Sequence, residues 1–513
     1  MSKINESSRT VNVLRNSVVT IICQWIYFIM GFVCRTVFTK TLGAEYLGIS
    51  GLFTNILTIL SFAELGIGSA LVYRLYAPLA EKDYKKVNAL LALYKKAYNF
   101  IIVIVLVIGV GLIPIIPYVV EAPNVKENII GLYMVYLIQT ITSYVLVYKK
   151  SLFIADQKNY VVDICTQIFN ILMNIFQCVF LVLTHDFILY CVLNIIFNLL
   201  NNIVCGCLAK KRYPFLSNKV DKSLYKNDLK GIFRDVKGLL LTKIASTAFS
   251  GTDNIFISAF VGIKYVGILS NYTLLINIIN SFMNKVFDAV TASLGNLAIT
   301  GDNKKTENVL KKMFFLNVTL YGIVFIEMSV ILPQFVTKIW LSEEYYLPYV
   351  VIIVVLVEMI LRSIHYPIYI TRNALGSFSE HKIYFVIAAI LNIVLDFILV
   401  KPLGILGLYI STIICRGITY MVDIFVVYKL YLKSSVFNYL VMLIKWLVFL
   451  GIMLVIAKAS TSWIAGFGFL NLMIKGVLIL IEYMLAFGIL FYKSDECLYF
   501  RNLLAKMLKK SRK

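Results

Sequence analysis

Sixteen Lys, Arg, Asp and Glu residues lie more than one residue inside stretches that are otherwise almost wholly apolar. The bases are Arg35, Lys243, Lys285, Arg362, Arg416, Lys445 and Lys475. The acids are Glu64, Asp163, Asp253, Asp288, Glu327, Glu358, Asp396, Asp423 and Glu482. In hydrocarbon such groups are costly, so they pair with one another or face a water-lined cavity. Cations placed there can contact an anionic substrate, and carboxylates can balance or couple it. Spacing sorts them. Glu358 and Arg362 stand four apart with the acid first, the order that favours pairing on a helix, and Lys285 and Asp288 stand three apart. Arg416 and Asp423, seven apart, pair or reach Asp396. Lys475 and Glu482, also seven apart, share a face and bridge. Lys445 lies near a span end, where it can snorkel.

Other chemistry has no foothold. The sequence carries no P-loop and no G-x-S-x-G motif. It has three His and nine Cys. Cys205-x-Cys207 has neither metal-ligand spacing nor companions, and the Cys placement within spans implies no disulfide framework.

The elements that hold these charges must be membrane helices. The 513 residues are 60% hydrophobic and 15% charged, with a mean hydropathy of +0.84. Soluble proteins sit near 45–50% apolar and about 25% charged. That excludes a soluble enzyme, a secreted disulfide scaffold and a disordered chain. Apolar runs of spanning length fall at 16–38, 46–69, 97–120, 128–148, 160–183, 187–208, 236–260, 265–291, 313–336, 347–369, 383–400, 403–427, 438–457 and 465–491. The expected architecture is therefore an all-α integral membrane protein with about fourteen transmembrane helices. The runs do not alternate as barrel strands would. The first lacks a small-residue cleavage site, so it reads as an uncleaved helix rather than a signal peptide.

The net charge of +22, from 49 Lys and Arg against 27 Asp and Glu, then acquires a location. With the N-terminus inside, 36 of the bases fall in inner segments and 6 in outer loops. This is the positive-inside asymmetry, with attraction to anionic head groups, and not a nucleic-acid signal. Both termini are expected on the cytoplasmic side.

A repeat organises the spans. Residues 41–59, TLGAEYLGISGLFTNILTI, match 260–278, FVGIKYVGILSNYTLLINI, at a constant offset of 219. The shared G-x-x-Y-x-G-I is Gly43, Tyr46, Gly48 and Ile49 against Gly262, Tyr265, Gly267 and Ile268. A D-x-K-K loop follows at Asp83 and at Asp302. The offset equals six helices and a linker, so the repeat is parallel. Parallel repeats in transporters place the substrate path between two lobes that rock. The expected division is a six-helix lobe over 1–208, a basic cytoplasmic linker over 209–235, a second six-helix lobe over 236–430, and two further helices with a basic tail over 431–513. Arg35 lies one residue from the repeat-mate of Asp253. The two charges either contact and couple an anionic substrate or form an inter-lobe ion pair that closes one face.

Residues 35–96, with SLFIADQKNY (151–160) and GTDNIFISAFVGIKYVGILSNYTLL (251–275), resemble Wzx-type polysaccharide repeat-unit flippases. These belong to the multidrug/oligosaccharidyl-lipid/polysaccharide (MOP) exporter superfamily. The resemblance implies a MATE-like fold and no enzymatic activity. It implies movement of undecaprenyl-diphosphate-linked oligosaccharide from the inner to the outer leaflet of the bacterial cytoplasmic membrane, for capsule, exopolysaccharide or O-antigen assembly. On this reading Arg35, Lys243, Lys285 and Arg362 are the expected cavity cations. Asp253 matches an acid that recurs near this position in the family and, with Glu64, is the candidate for ion coupling or gating. No cofactor is expected, and H+ or Na+ are the coupling ions to consider. Membrane lipids, a polysaccharide polymerase and glycosyltransferases are the expected partners; nucleic acid is not. A multidrug exporter of the same superfamily is the first alternative, and would favour an acidic cavity. A membrane glycan polymerase would carry a sizeable loop with catalytic carboxylates, which is missing. A lipid II flippase would carry more Arg than Arg35 alone in its first two helices.

Overall fold

The computed structural model describes residues 2–61, 67–120, 125–217, 251–299, 303–374, 379–464, 466 and 468–502. Among them the secondary structure is helical, with no strand. The chain divides into two compact units, Met1–Gly267 and Ile268–Lys513.

The first unit holds α1 (Ser2–Leu42), α2 (Ala44–Leu60), α3 (Ile67–Ala80), α4 (Tyr84–Gly111), α5 (Ile129–Ser143), α6 (Val147–Ala155), α7 (Asn159–Thr184), α8 (Phe187–Arg212), α9 (Asp253–Phe260) and the start of α10 (Ile263–Ile299). The second holds the rest of α10, then α11 (Asn303–Gln334), α12 (Tyr349–Ala374), α13 (Ser379–Leu403), α14 (Ile405–Phe425), α15 (Val436–Ser462) and α16 (Phe469–Phe491). In unit 1, α1 packs on α7, which packs on α8. In unit 2, α12 lies between α11 and α14, and α13 runs back along α14.

Local chemistry sets the helix ends. The Asp83 side chain accepts from the Lys86 backbone N–H at 3.1 Å, so the acid of the D-x-K-K loop is the N-cap of α4. Asp186 caps α8 in the same way, and Lys210, Lys211 and Arg212 close that helix, where its dipole favours cations. The SLFIADQKNY stretch is the turn from α6 to α7. Asp156 accepts there from Lys158 at 2.5 Å and from the Tyr213 hydroxyl at 2.7 Å, which ties the turn to the end of α8. Burial, reinforced by that carboxylate, pushes the Tyr213 hydroxyl well above the usual range.

The repeated G-x-x-Y-x-G-I has a structural reason at each glycine. Gly43 and Gly262 open α2 and α10 with φ of 89° and 120°, backbone that only glycine adopts without strain. Gly48 and Gly267 mark a close crossing within unit 1. A Cβ built on Gly48 would strike the carbonyl of Ile263, and one on Gly267 would strike the carbonyl of Ala44. Ala44 and Ile263 are repeat-mates, and so are the two glycines. The crossing is therefore symmetric in sequence: each repeat supplies the same glycine and the same carbonyl.

Eleven helices are long and apolar enough to cross a membrane, or twelve if α5 and α6, bent by 41°, form one broken span. The break falls at Leu146, whose φ of 63° is left-handed. This count is of the described residues, and it is below the expected fourteen. The second expected span, 46–69, meets α2, whose 17 residues stop at Leu60, and residues 62–66 lie outside the description. The seventh, 236–260, is described only from residue 251.

Candidate functional site

On α12, Glu358, Arg362, His365 and Arg372 follow at intervals of four, three and seven, which keeps them on one face. On α14, Arg416 and Asp423 stand seven apart. The helices run parallel and in register, because Glu358 meets Arg416 and His365 meets Asp423 at the same sequence separation.

Two carboxylates organise this seam. Glu358 is buried, and its Oε1 accepts from Arg362 Nη2 at 2.9 Å and Arg362 Nε at 3.2 Å, while Arg416 Nε lies 3.0 Å away as an ion pair. Asp423 is fully buried. Arg372 Nη1 donates to both of its oxygens at 2.9 Å, and His365 Nε2 lies 2.7 Å from Oδ2. Arg372 also lies over the Tyr369 ring, 5.1 Å from its centroid. Among the described residues, three guanidiniums stand against two carboxylates in this seam. The Arg362 side chain is 49% exposed, against 7% for Glu358. A group arriving from the accessible side would therefore meet a guanidinium before a carboxylate.

One helix over, α13 brings Asn392 and Asp396 against Ser411 and Thr412 of α14. Asp396 is fully buried. Its Oδ1 touches the Ser411 hydroxyl, and the Asn392 amide reaches Asp396, Ser411 and Thr412 at 3.4 Å each. Asp396 Oδ2 and Asn392 Oδ1 have no hydrogen-bond partner. Ser411 also reaches the Leu408 carbonyl at 2.6 Å. One hydroxyl proton cannot serve both acceptors. The Asn392 amide nitrogen faces three of these oxygens, and the free Asp396 Oδ2 can hold a proton.

The expected residues distribute unevenly. Arg362 sits in the seam and pairs with Glu358, as their spacing predicted. Arg416 and Asp423 do not pair and do not reach Asp396. Both turn toward α12, because a parallel neighbour in register offers Glu358 and His365 at the matching heights. Lys475 and Glu482 do not bridge either. Lys475 donates to Gln334 at 3.0 Å, and Glu482 accepts from Ser460 at 3.0 Å, so each is held by a neighbouring helix. In unit 1, Arg35 is half-buried on α1, and Asp253, also half-buried, opens α9. The side chains of Lys285 and Asp288 on α10 lie outside the described residues, as do Lys243 and Glu64 altogether.

Sequence reasoning missed Arg372 and His365. Arg372 fell beyond the expected span end at 369, whereas α12 continues to Ala374. The signal was present: Arg372 lies seven residues after His365 and fourteen after Glu358, one stripe on a 3.5–3.6-residue period.

A comparison with curated proteins finds no match. Solved structures match in fold. The lipid II flippase MurJ, in an inward closed conformation, is 16% identical with a TM-score of 0.64, covering 93% of this chain and 99% of that one. An inward-facing multidrug resistance MATE family transporter of the MOP superfamily is 15% identical with a TM-score of 0.61, covering 82% and 98%. A MOP superfamily transporter from Pyrococcus furiosus is 14% identical with a TM-score of 0.52, covering 83% and 96%. The expected MATE-like architecture is thus the observed one. At the sequence level, the family described as "Polysaccharide biosynthesis protein" matches residues 13–292, more than half of the chain. This multi-pass membrane protein belongs to the polysaccharide biosynthesis protein family.

Proposed function

We propose that the chain is a flippase that carries lipid-linked oligosaccharide repeat units, joined through a diphosphate to undecaprenol, across the bacterial cytoplasmic membrane. The family match supports work on polysaccharide precursors, and the MurJ-like fold supports a transporter rather than an enzyme. The observation that carries the reading is the seam on α12 and α14. A diphosphate and its glycan cannot enter hydrocarbon unaided, and Arg362, half exposed over a buried Glu358 and backed by Arg416, offers them a polar surface with an accessible guanidinium. Arg35, Lys243 and Lys285 are proposed as further substrate-binding cations, and Asp253 and Glu64 as gating or coupling groups. The lipid tail stays in the bilayer while the head group moves by alternating access.

Asp396 is proposed as a further coupling group, in addition to Asp253 and Glu64. A buried carboxylate with one oxygen free is stable with a proton, and its charge state alters how α13 holds α14. The family match favours this reading over a multidrug exporter. We place both termini on the cytoplasmic side, a reading that the clustering of Lys and Arg on alternate loops supports.

Deletion of the gene in its host tests the assignment. Complete repeat units should accumulate on undecaprenyl diphosphate at the cytoplasmic face. Their normal arrival at the outer face would refute it.

A further inference from the structure

A second polar site lies in unit 2, away from the charged seam. Lys475 is only 4% exposed, although α16 is a candidate membrane span. It stands six residues into that helix, about 9 Å along its axis at ~1.5 Å per residue. Its ammonium has three N–H groups and makes one hydrogen bond, to Gln334 Oε1 at 3.0 Å. No carboxylate pairs with it among the described residues, so a buried positive charge is matched only by a neutral amide.

Beside it a cavity of about 500 Å³ opens between the ends of α11 and α15 and the starts of α12 and α16. That is far more than the ~30 Å³ of one water. Lys458 borders the same cavity, with its ammonium 4.3 Å from the centre of the Tyr349 ring. The Tyr349 hydroxyl is buried there without a hydrogen-bond partner. Thr461 and Ser462 add hydroxyls to the lining. The Thr461 and Ser462 hydroxyls already donate to the Ala457 and Ala459 carbonyls, so the donors that face the cavity are the two ammoniums and the phenol, with no acid among the described lining residues.

The surroundings specify the source of the anion. Trp463, Phe469 and Leu470, at the ends of α15 and α16, are exposed, as aromatic and apolar side chains are at the level of lipid head groups. We infer that this cavity binds the phosphate of an anionic membrane lipid, with Lys475 as the buried anchor and Lys458 at the rim. Lysine suits the task as a point charge on a flexible stem that follows the head group.

The test is native mass spectrometry of the full-length protein titrated with phosphatidylglycerol, with phosphatidylcholine and inorganic phosphate as separate arms. The wild type should retain one phosphatidylglycerol in preference to phosphatidylcholine, and millimolar inorganic phosphate should not displace it. Lys475→Gln should weaken that binding about fivefold, and Lys475→Arg should keep it. Should Lys475→Gln fail to fold, Lys458→Gln carries the same expectation of weakened binding. Unchanged binding in the folded Gln variants, or equal retention of the two lipids, would overturn the inference. Displacement by inorganic phosphate would overturn the lipid assignment.

Discussion

Glu358 lies between two guanidiniums, and Asp423 between a guanidinium and an imidazole. The two sites answer differently to substitution. Asp423→Asn leaves Arg372, itself buried, facing a neutral amide. Breaking one partner of a buried pair costs about 3–5 kcal/mol, so this variant should melt several degrees lower in detergent, and an unchanged melting temperature would show that the pair is not structural. Arg362→Ala removes a half-exposed group. Its melting temperature should stay close to wild type while export of repeat units falls at least tenfold; full export in a normally inserted variant would remove Arg362 from the path. Asp396→Asn is isosteric and cannot ionise. Transport in that variant should lose its response to an imposed proton or sodium gradient, and a retained response would place coupling elsewhere. The Glu358–Arg362 pair was legible in the sequence because partners four apart meet on any helix. The partners of Arg416, Asp423 and Lys475 were not, since each depends on which helix lies alongside and in what register.

At the scale of elements, the repeat predicted more than its residues alone explained. The motif G-x-x-Y-x-G-I was visible as a pattern, but its physical content is a left-handed turn at the first glycine and a backbone crossing at the second. In a membrane, where no hydrophobic force separates helices from lipid, such small residues let backbones approach. Gly48→Ala and Gly267→Ala should each destabilise by about 1–3 kcal/mol, the usual cost of overpacking. Because both act on one crossing, their effects on melting temperature should be less than additive in the double variant. Additive losses would mean that the two glycines act in separate contacts. Helix ends were less legible than helix cores. α12 outruns its apolar stretch and so carries Arg372 inside, while α2 stops earlier than its apolar run suggests. Apolar content marks where a helix meets lipid, and hydrogen bonds and caps decide where it ends.

For the whole molecule, composition was the surest guide. A hydrophobic share of 60% in runs of spanning length pointed to a multi-pass membrane protein, and the fold shared with MurJ and MATE transporters agrees. The total charge pointed to no ligand. The charges within spans did, through their arrangement. The proposal of transport is tested most directly in sealed vesicles. Purified protein is reconstituted with a fluorescent undecaprenyl-diphosphate oligosaccharide in both leaflets, and a membrane-impermeant reagent that destroys the glycan is added outside. With active protein the reagent should consume nearly all of the labelled lipid, against about half in protein-free vesicles, and Arg362→Ala should fall toward the protein-free value. Consumption halting at one half with folded wild-type protein, under an imposed ion gradient, would contradict the assignment of flippase activity.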